Sequence, residues 1–433
     1  MTDAKLLALP VPQQVLVVGR GGREHALVHA LGQSGAKVYA TRPNPGMAPL
    51  CRAVDVDPLD VAGVVAVAQQ LQVDLVVVGP EAPLVAGLAD ALRAVGIATF
   101  GPGQDAAQLE GSKAFAKAFL VRHGIPTAAA EVVTDLEAAL AFVAKVGAPL
   151  VVKADGLAAG KGVVVAETVA EAEAAVQAFL GDKTLGEAGA TLLLEQFLTG
   201  PEVSALALCD GERILALDLA RDHKRIFDGD KGDNTGGMGA VSPLPTVDAA
   251  TLQQIRTEVL EPTLAGLKRD GLDFRGVIYA GIMLTPTGPQ VLEYNVRFGD
   301  PEAQVLLPRL GAHLAPLLFA AARGALPSDL ILPPAPAAVT VVLAAAGYPA
   351  TPRGGDVITG LAQAAAVPNA IVFHAGTKPL ADGTIVTAGG RVLTVTGLGP
   401  DVAAARNVAY QAAGLIDFAG KQMRTDIAAS VVG

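Results

Sequence analysis

Residues 149–167, Pro-Leu-Val-Val-Lys-Ala-Asp-Gly-Leu-Ala-Ala-Gly-Lys-Gly-Val-Val-Val-Ala-Glu, set two apolar, β-branched runs on either side of a loop of glycines and lysine. Such runs read as strands, so the loop joins strand to strand. A P-loop joins strand to helix, separates its glycines by four residues and follows its lysine with Ser or Thr. Here Gly156 and Gly160 enclose three residues, and Gly162 follows Lys161, so no hydroxyl stands ready for Mg²⁺. The segment is a glycine-rich β-hairpin with Lys161 at its centre. Glycines let backbone N–H groups approach an anion and lysine adds charge. Such a loop fits a flap that closes over a nucleotide, and equally an ordinary long hairpin turn.

The chain before it has a different rhythm. Residues 14–31 read as strand, glycine turn and helix, and residues 73–96 repeat that pattern. These are the βα units of a doubly wound sheet. A dinucleotide fingerprint would need glycine at position 24, given Gly19 and Gly21, but Glu24 stands there, which argues against NAD. A helix starting after Gly21 and Gly22 is still an anion site. Ligands of open α/β sheets sit beyond the carboxyl ends of the strands. That rule predicts one rim running from Gly19–Glu24 to Gly79–Glu81, where Glu81 is either a ligand or an acidic residue of a first helical turn.

A chain of 433 residues exceeds one simple core, and about three domains are expected. A net charge of −10 argues against a nucleic-acid surface. Cys51 and Cys209, the two cysteines, form no disulfide framework or zinc pattern and suit a reducing cytoplasm. Residues 1–13 read as a frayed, disordered extension, too short and Pro-broken for a signal peptide. Residues 335–350, an apolar stretch interrupted by Pro and Gly, fall short of a membrane span.

The middle carries chemistry in pieces. Lys113 opens a helix that Gly124 closes, and a cation in a first turn opposes the helix dipole unless an anion lies nearby. Lys153 ends the strand before the glycine loop, either snorkelling or aimed at a phosphate. Glu195 closes an apolar run, and the break after it leaves backbone groups free for the polar edge of a base. Glu202 and Ser204 share one strand face. Residues 221–243, charged and rich in glycine, lack hydrophobic periodicity and read as a long substrate-facing loop. In 289–304, a strand would put Glu293, Asn295 and Arg297 on one face, with Leu292, Tyr294 and Val296 against the core. A carboxylate and an amide two residues apart suit Mg²⁺, and the arginine fork suits a carboxylate or phosphate.

The stretches GGREHAL, GPEAPLV, QLEGSKAFAK, KADGLAAGKGV, DHKR, NTGGMGAVSP and EYNVRFGDPE occur in this order. Together they make the chain similar to the phosphoribosylamine–glycine ligases (glycinamide ribonucleotide synthetases) of the ATP-grasp superfamily, from about Val15 to near the C-terminus. The resemblance implies an α/β architecture, α+β in part: an N-terminal open parallel sheet domain over 14–110, an ATP-grasp body over 111–327 with a flap subdomain at about 125–195, and a β-rich C-terminal domain over 328–433. It implies ATP contacts at Lys113, Lys153, Gly160, Lys161, Glu195 and Glu202, with Glu195 at adenine and Glu202 at ribose. Glu293 and Asn295 would bind Mg²⁺ or Mn²⁺. Arg297, Asp222 and Lys224 would be catalytic on the amino-acid side. Gly21, Gly22, Glu24 and Glu81, with Arg297, would form the phosphoribosylamine side. The implied reaction joins glycine to 5-phosphoribosylamine through a glycyl phosphate, with small molecules as the only partners and a monomer or weak homo-oligomer in the cytoplasm. Two departures touch loop geometry: RPNPG at 42–46 in place of Pro-Gly-Asn-x-Gly, and Asp233 where Pro is usual.

Two rival readings remain at this stage. Another ATP-grasp carboxylate–amine ligase or carboxylase is opposed by the DHKR and NTGGMG stretches and by the absence of a biotin-carrier segment. A nucleotide-binding regulator without catalysis is opposed by the intact Glu293, Asn295, Lys113 and Lys153.

Overall fold

The computed structural model describes residues 2–156 and 162–432. In the N-terminal part, β1 (Gln14–Val18), β2 (Lys37–Thr41), β3 (Arg52–Val54), β4 (Leu75–Val78) and β5 (Ala98–Phe100) form one parallel sheet of order β3-β2-β1-β4-β5. Both faces are covered, which is why β1 and β4 are runs of Val and Leu rather than alternating sequences. Ahead of this sheet, residues 2–7 form a short helix rather than a frayed extension. Leu6 is buried in the core and Lys5 Nζ donates to Ser328 O at 3.0 Å, and these contacts hold the segment down.

The glycine loop does join two antiparallel strands. Strands β6 (Ala130–Val133), β7 (Leu150–Ala154), β8 (Val163–Ala166) and β9 (Leu192–Gln196) make a sheet of order β6-β9-β7-β8 with its own small core around Val143, Val152, Val176 and Leu194. Next come β10 (Glu202–Asp210) and β11 (Ile214–Ala216). They are followed by β12 (Arg221–Asp222), β13 (Arg225–Phe227), β14 (Lys231–Asn234) and β15 (Gly239–Ser242). Strands β16 (Arg275–Thr285) and β17 (Gly288–Asn295) complete an antiparallel body sheet, β11-β10-β16-β17.

The last part holds β18 (Ala337–Ala344), β19 (Ala370–His374), β20 (Thr377–Pro379), β21 (Ile385–Thr387) and β22 (Arg391–Gly399). Its main sheet runs β12-β15-β18-β22-β19. Residues 221–243 are therefore not one long loop. Their ends are strands of the C-terminal sheet and their middle is the hairpin β13–β14. Hydrophobic periodicity missed them because the strands have only two to four residues. A boundary at 327/328 likewise separates β15 from β18, its hydrogen-bonded neighbour.

Among the described residues one apolar stretch, Ala303–Ala322, is long enough to cross a membrane by length and composition. It is two helices, Ala303–Leu310 and Leu314–Ala322, joined by a 3₁₀ turn and packed in the core.

The first and last parts of the chain meet through histidines, His25 on the helix Gly22–Gly32 and His374 on β19. The backbone N–H of His374 donates to His25 Nδ1 at 2.8 Å, and Asn44 of the RPNPG turn donates to His374 O at 2.7 Å. Asn44 Oδ1 accepts from the N–H groups of Gly46 and Met47, so this departure still builds a closed turn. Burial, with His374 and His29 beside it, pushes His25 down to about 3, and burial pushes His374 down to about 4. Both pKa values lie below the unfolded value of about 6.5. The stability they contribute is therefore complete above that pH and lost progressively as pH falls from it toward the folded values. For His25 alone the loss at pH 5 is about 2 kcal/mol. Thermal unfolding followed from pH 7.5 to 5 should show a steeper fall in Tm for the wild type than for His25→Asn; equal slopes would refute the assignment.

Candidate functional site

The carboxyl end of the N-terminal sheet closes around Glu24. Gly19 has φ +118°, and a Cβ there would lie 2.6 Å from Glu24 Cγ; one on Gly79 would lie 2.2 Å from Glu24 Oε1. Glu24 accepts from Gly21 N at 2.5 Å and pairs with Arg23 Nε at 2.7 Å. Its carboxylate thus caps its own helix, Gly22–Gly32, while Arg23 and Glu81 supply the wall of the adjoining cleft. Gly21, Gly22 and Glu24 lie behind that wall.

The cleft, about 460 Å³, runs between this rim, the body sheet and the flap sheet. It opens into a second space of about 700 Å³ that reaches Phe197, Leu198 and Glu202. Lys153, Glu195, Asp222, Lys224 and Glu293 line both. Gly160 and Lys161 lie outside the described residues.

Lys113 begins the helix Lys113–Arg122, which Ser112 caps by accepting from Phe115 N at 3.0 Å. Asp155, at the end of the flap strand, accepts from Ala114 N at 2.6 Å, so an anion does sit at this helix start. Lys113 Nζ reaches Gly156 O at 3.4 Å and faces the cleft, with its pKa lowered by burial.

The register of β17 contains a bulge. Gly281 pairs with Glu293 and Ile282 with Val291, leaving Leu292 as the extra residue. Leu292 was expected in the core. The bulge turns it instead to the cleft, where its carbonyl accepts from Lys153 Nζ at 2.9 Å. Val291 and Tyr294 are buried, and Glu293, Asn295 and Arg297 line the cleft together, as the sequence predicts. Burial pushes the Glu293 carboxyl up, but Lys224, Lys153, Lys113 and Arg297 outweigh it and hold it below the usual range. An ionised carboxylate and an amide oxygen are hard donors, fit for Mg²⁺ or Mn²⁺ that also binds phosphate oxygens and water. Among the described residues no cluster of three or more carboxylate, His or Cys ligands offers a closed cage.

Cations and anions alternate through the cleft. Lys224 Nζ lies 2.5 Å from Glu202 Oε1 and 3.8 Å from Glu293 Oε1. Burial opposes its charge, yet Glu202, Glu293, Tyr279 and Asp222 raise its pKa well above the ordinary lysine value. Asp222 is driven well above the carboxyl range by burial and by Glu302, and its Oδ1 has no hydrogen-bond partner. Glu302 accepts from Ser204 Oγ at 3.0 Å and Tyr279 OH at 2.5 Å. Arg297 sits 2.6 Å from Glu110 Oε1 and 3.4 Å from Glu81 Oε2. Asp233 is exposed in β14, at the edge of the larger space.

Sequence reasoning missed Arg23, Glu110, Lys117, Glu302 and Arg391. Lys117 was within reach, because it follows Lys113 by four residues and so shares its helix face. Arg391 was not: it enters from β22, donating to Asp300 O at 2.6 Å and to Gly236 O.

Comparison with known proteins matches all three parts of the chain. The N domain of phosphoribosylglycinamide synthetase matches residues 13–110, its ATP-grasp (A) domain 111–303 and its C domain 338–430. The phosphoribosylamine–glycine ligase of Phenylobacterium zucineum is 49% identical over 425 residues, 97% of this chain and 99% of that protein. That of Allochromatium vinosum is 51% identical over 419 residues, 96% of this chain and 97% of that protein. The crystal structure of the Thermotoga maritima enzyme of the same name superposes with a TM-score of 0.84 at 34% identity, covering 96% of this chain and all of that one. A biotin carboxylase domain from Hydrogenobacter thermophilus shares the fold, with a TM-score of 0.73 at 18% identity. With its three domains matched in order and half its residues shared along nearly the whole length, the chain belongs to the phosphoribosylglycinamide synthetase family, the ATP-dependent ATP-grasp ligases of purine biosynthesis.

Proposed function

We propose that this protein joins the carboxyl group of glycine to the amine of 5-phosphoribosylamine, converting ATP to ADP and phosphate and yielding glycinamide ribonucleotide. The observation that carries the reading is the single cleft in which Lys113, Lys153, Glu293, Asn295 and Arg297 converge below the flap sheet. ATP occupies the larger space, with adenine against the 195–198 segment, ribose at Glu202, and phosphates toward Lys113, Lys153 and the flap residues Gly160 and Lys161. Glu293 and Asn295 hold Mg²⁺ or Mn²⁺, which supplies charge neutralisation at the phosphates.

A glycine carboxylate oxygen attacks the γ-phosphorus, ADP leaves, and a glycyl phosphate forms. The amine nitrogen then attacks the acyl carbon, phosphate departs and the nitrogen loses a proton. The chain supplies no nucleophile; it orients reactants and stabilises charge. Arg297 and Lys224 are suited to the carboxylate and the acyl phosphate derived from it. Asp222, buried in the cleft with an oxygen that has no hydrogen-bond partner, is suited to hydrogen-bond an amine of the reactants. Arg23 and Glu81 face the phosphoribosylamine end, with Gly21, Gly22 and Glu24 shaping the turn behind them. The protein works on small molecules alone, without nucleic acid or membrane, as a cytoplasmic monomer or weak homo-oligomer.

ADP release measured with glycine and fresh phosphoribosylamine, omitting each in turn, tests the assignment. Turnover should require both; turnover supported by bicarbonate or by another amino acid in place of glycine would overturn it.

A further inference from the structure

Two lysines share one buried carboxylate at the seam between the flap sheet and the body, and they are not equivalent. Lys117, on the body helix Lys113–Arg122, reaches across to Glu195 Oε1 on β9 at 2.6 Å. It also donates to Thr127 Oγ1 at 2.6 Å and to Ala128 O at 2.9 Å. An ammonium has three N–H donors. Two of those of Lys117 end on Thr127 and Ala128, and the ammonium stands in ion-pair contact with Glu195 Oε1, which has no hydrogen-bond partner; these three oxygens surround it, and its side chain is 7% exposed.

Lys153, on flap strand β7, reaches the opposite way. It contacts Glu195 Oε2 and donates to Leu292 O at 2.9 Å. Among the described residues it has two partners for three donors, and it lines both spaces of the cleft.

Glu195 is 3% exposed. A buried carboxylate that loses its only cation is strongly disfavoured. Were Lys153 alone beside Glu195, turning to an anionic ligand would strand that carboxylate. With Lys117 fixed in place, Glu195 keeps a counter-ion whatever Lys153 does.

We propose that Lys117 is a positioning residue that holds the Glu195 carboxylate and so frees Lys153 to engage nucleotide phosphate. This rests on the nucleotide site described above. In Lys117→Met, Glu195 captures Lys153, and phosphate must compete with a buried ion pair.

Calorimetric titration of the full chain with ATP and with adenosine tests this. Lys117→Met should weaken ATP by about 10–100-fold, the range for a charge-assisted hydrogen bond, while adenosine binding changes little. Removing the carboxylate should remove the need for its partner, so Lys117→Met/Glu195→Gln should bind ATP as tightly as Glu195→Gln alone. That comparison holds even if the single Lys117 variant does not fold. Equal weakening of ATP and adenosine, or a double variant weaker than Glu195→Gln, would overturn the proposal. Lys153→Met separates the two levels: unchanged ATP affinity there would remove the nucleotide-site reading itself, and the inference with it.

Discussion

Arg297→Met is expected to destabilise the folded protein by about 3–5 kcal/mol at pH 8, the range for breaking a buried ion pair by removing one partner. The guanidinium lies between Glu110 and Glu81, and Glu110 is the more buried of the two, its side chain 7% exposed. Burial already raises the Glu110 pKa, and Arg297 is the main influence that lowers it again. Without the arginine, that pKa rises further above its unfolded value. A group raised in this way favours folding below the unfolded pKa and loses that contribution as pH climbs through the folded one. The defect should therefore be larger at pH 8 than at pH 5. Adding Glu110→Gln should recover much of it. Denaturant unfolding at the two pH values measures this, and a pH-independent defect that Glu110→Gln leaves in place would mean that lost packing dominates. Arg297→Lys separates structure from catalysis. Its ammonium keeps a charge near the two carboxylates but loses the planar fork. The glycine KM should rise more than the ATP Kd.

Turnover of Glu293→Gln is expected to fall by about 100-fold or more, on the scale of losing a metal-held charge at a transferring phosphoryl group. The fold should survive, because Lys224 keeps Glu202 at 2.5 Å and Lys153 keeps Glu195 and the Leu292 carbonyl. Steady-state kcat at saturating and limiting Mg²⁺, alongside Tm, checks both halves. Near-normal activity at limiting Mg²⁺ would take Glu293 out of the metal site.

These residues were legible to different degrees, for physical reasons. Glu293, Asn295 and Arg297 could be read because a strand alternates and all three are polar. The same rule misplaced Leu292, since one bulged residue shifts the alternation and nothing local in Gln-Val-Leu-Glu announces a bulge. The parallel N-terminal sheet was legible from β1 and β4, unbroken Val and Leu runs that each lead into a glycine and then a helix. The C-terminal sheet was only half legible, because β12 has two residues, β15 reads Gly-Ala-Val-Ser without a β-branched run, and both hide in a charged segment. Glu24 was placed on the phosphoribosylamine side by the resemblance. Its hydrogen bonds are to near neighbours in sequence, Gly21 N and Arg23, which no strand or helix period encodes. Asp222 and Glu302 gain their character from burial beside each other, a property of tertiary packing that no spacing encodes.

The interleaving of β12 and β15 with β18, β22 and β19 bears on how this architecture can be cut and recombined. A chain severed at 327 would keep β15 but lose β18, leaving the whole hydrogen-bonding edge of Gly239–Ser242 bare. The charged hairpin next to it would lose Arg424, whose buried guanidinium holds Asp230 and the Arg225 carbonyl. Linear segments of this enzyme are thus not interchangeable parts. A chimera exchanging the final hundred residues with a relative must also exchange the strip from about 221 to 243. Any split into two co-expressed fragments should be placed between β5 and β6 or between β9 and β10, where no sheet is divided.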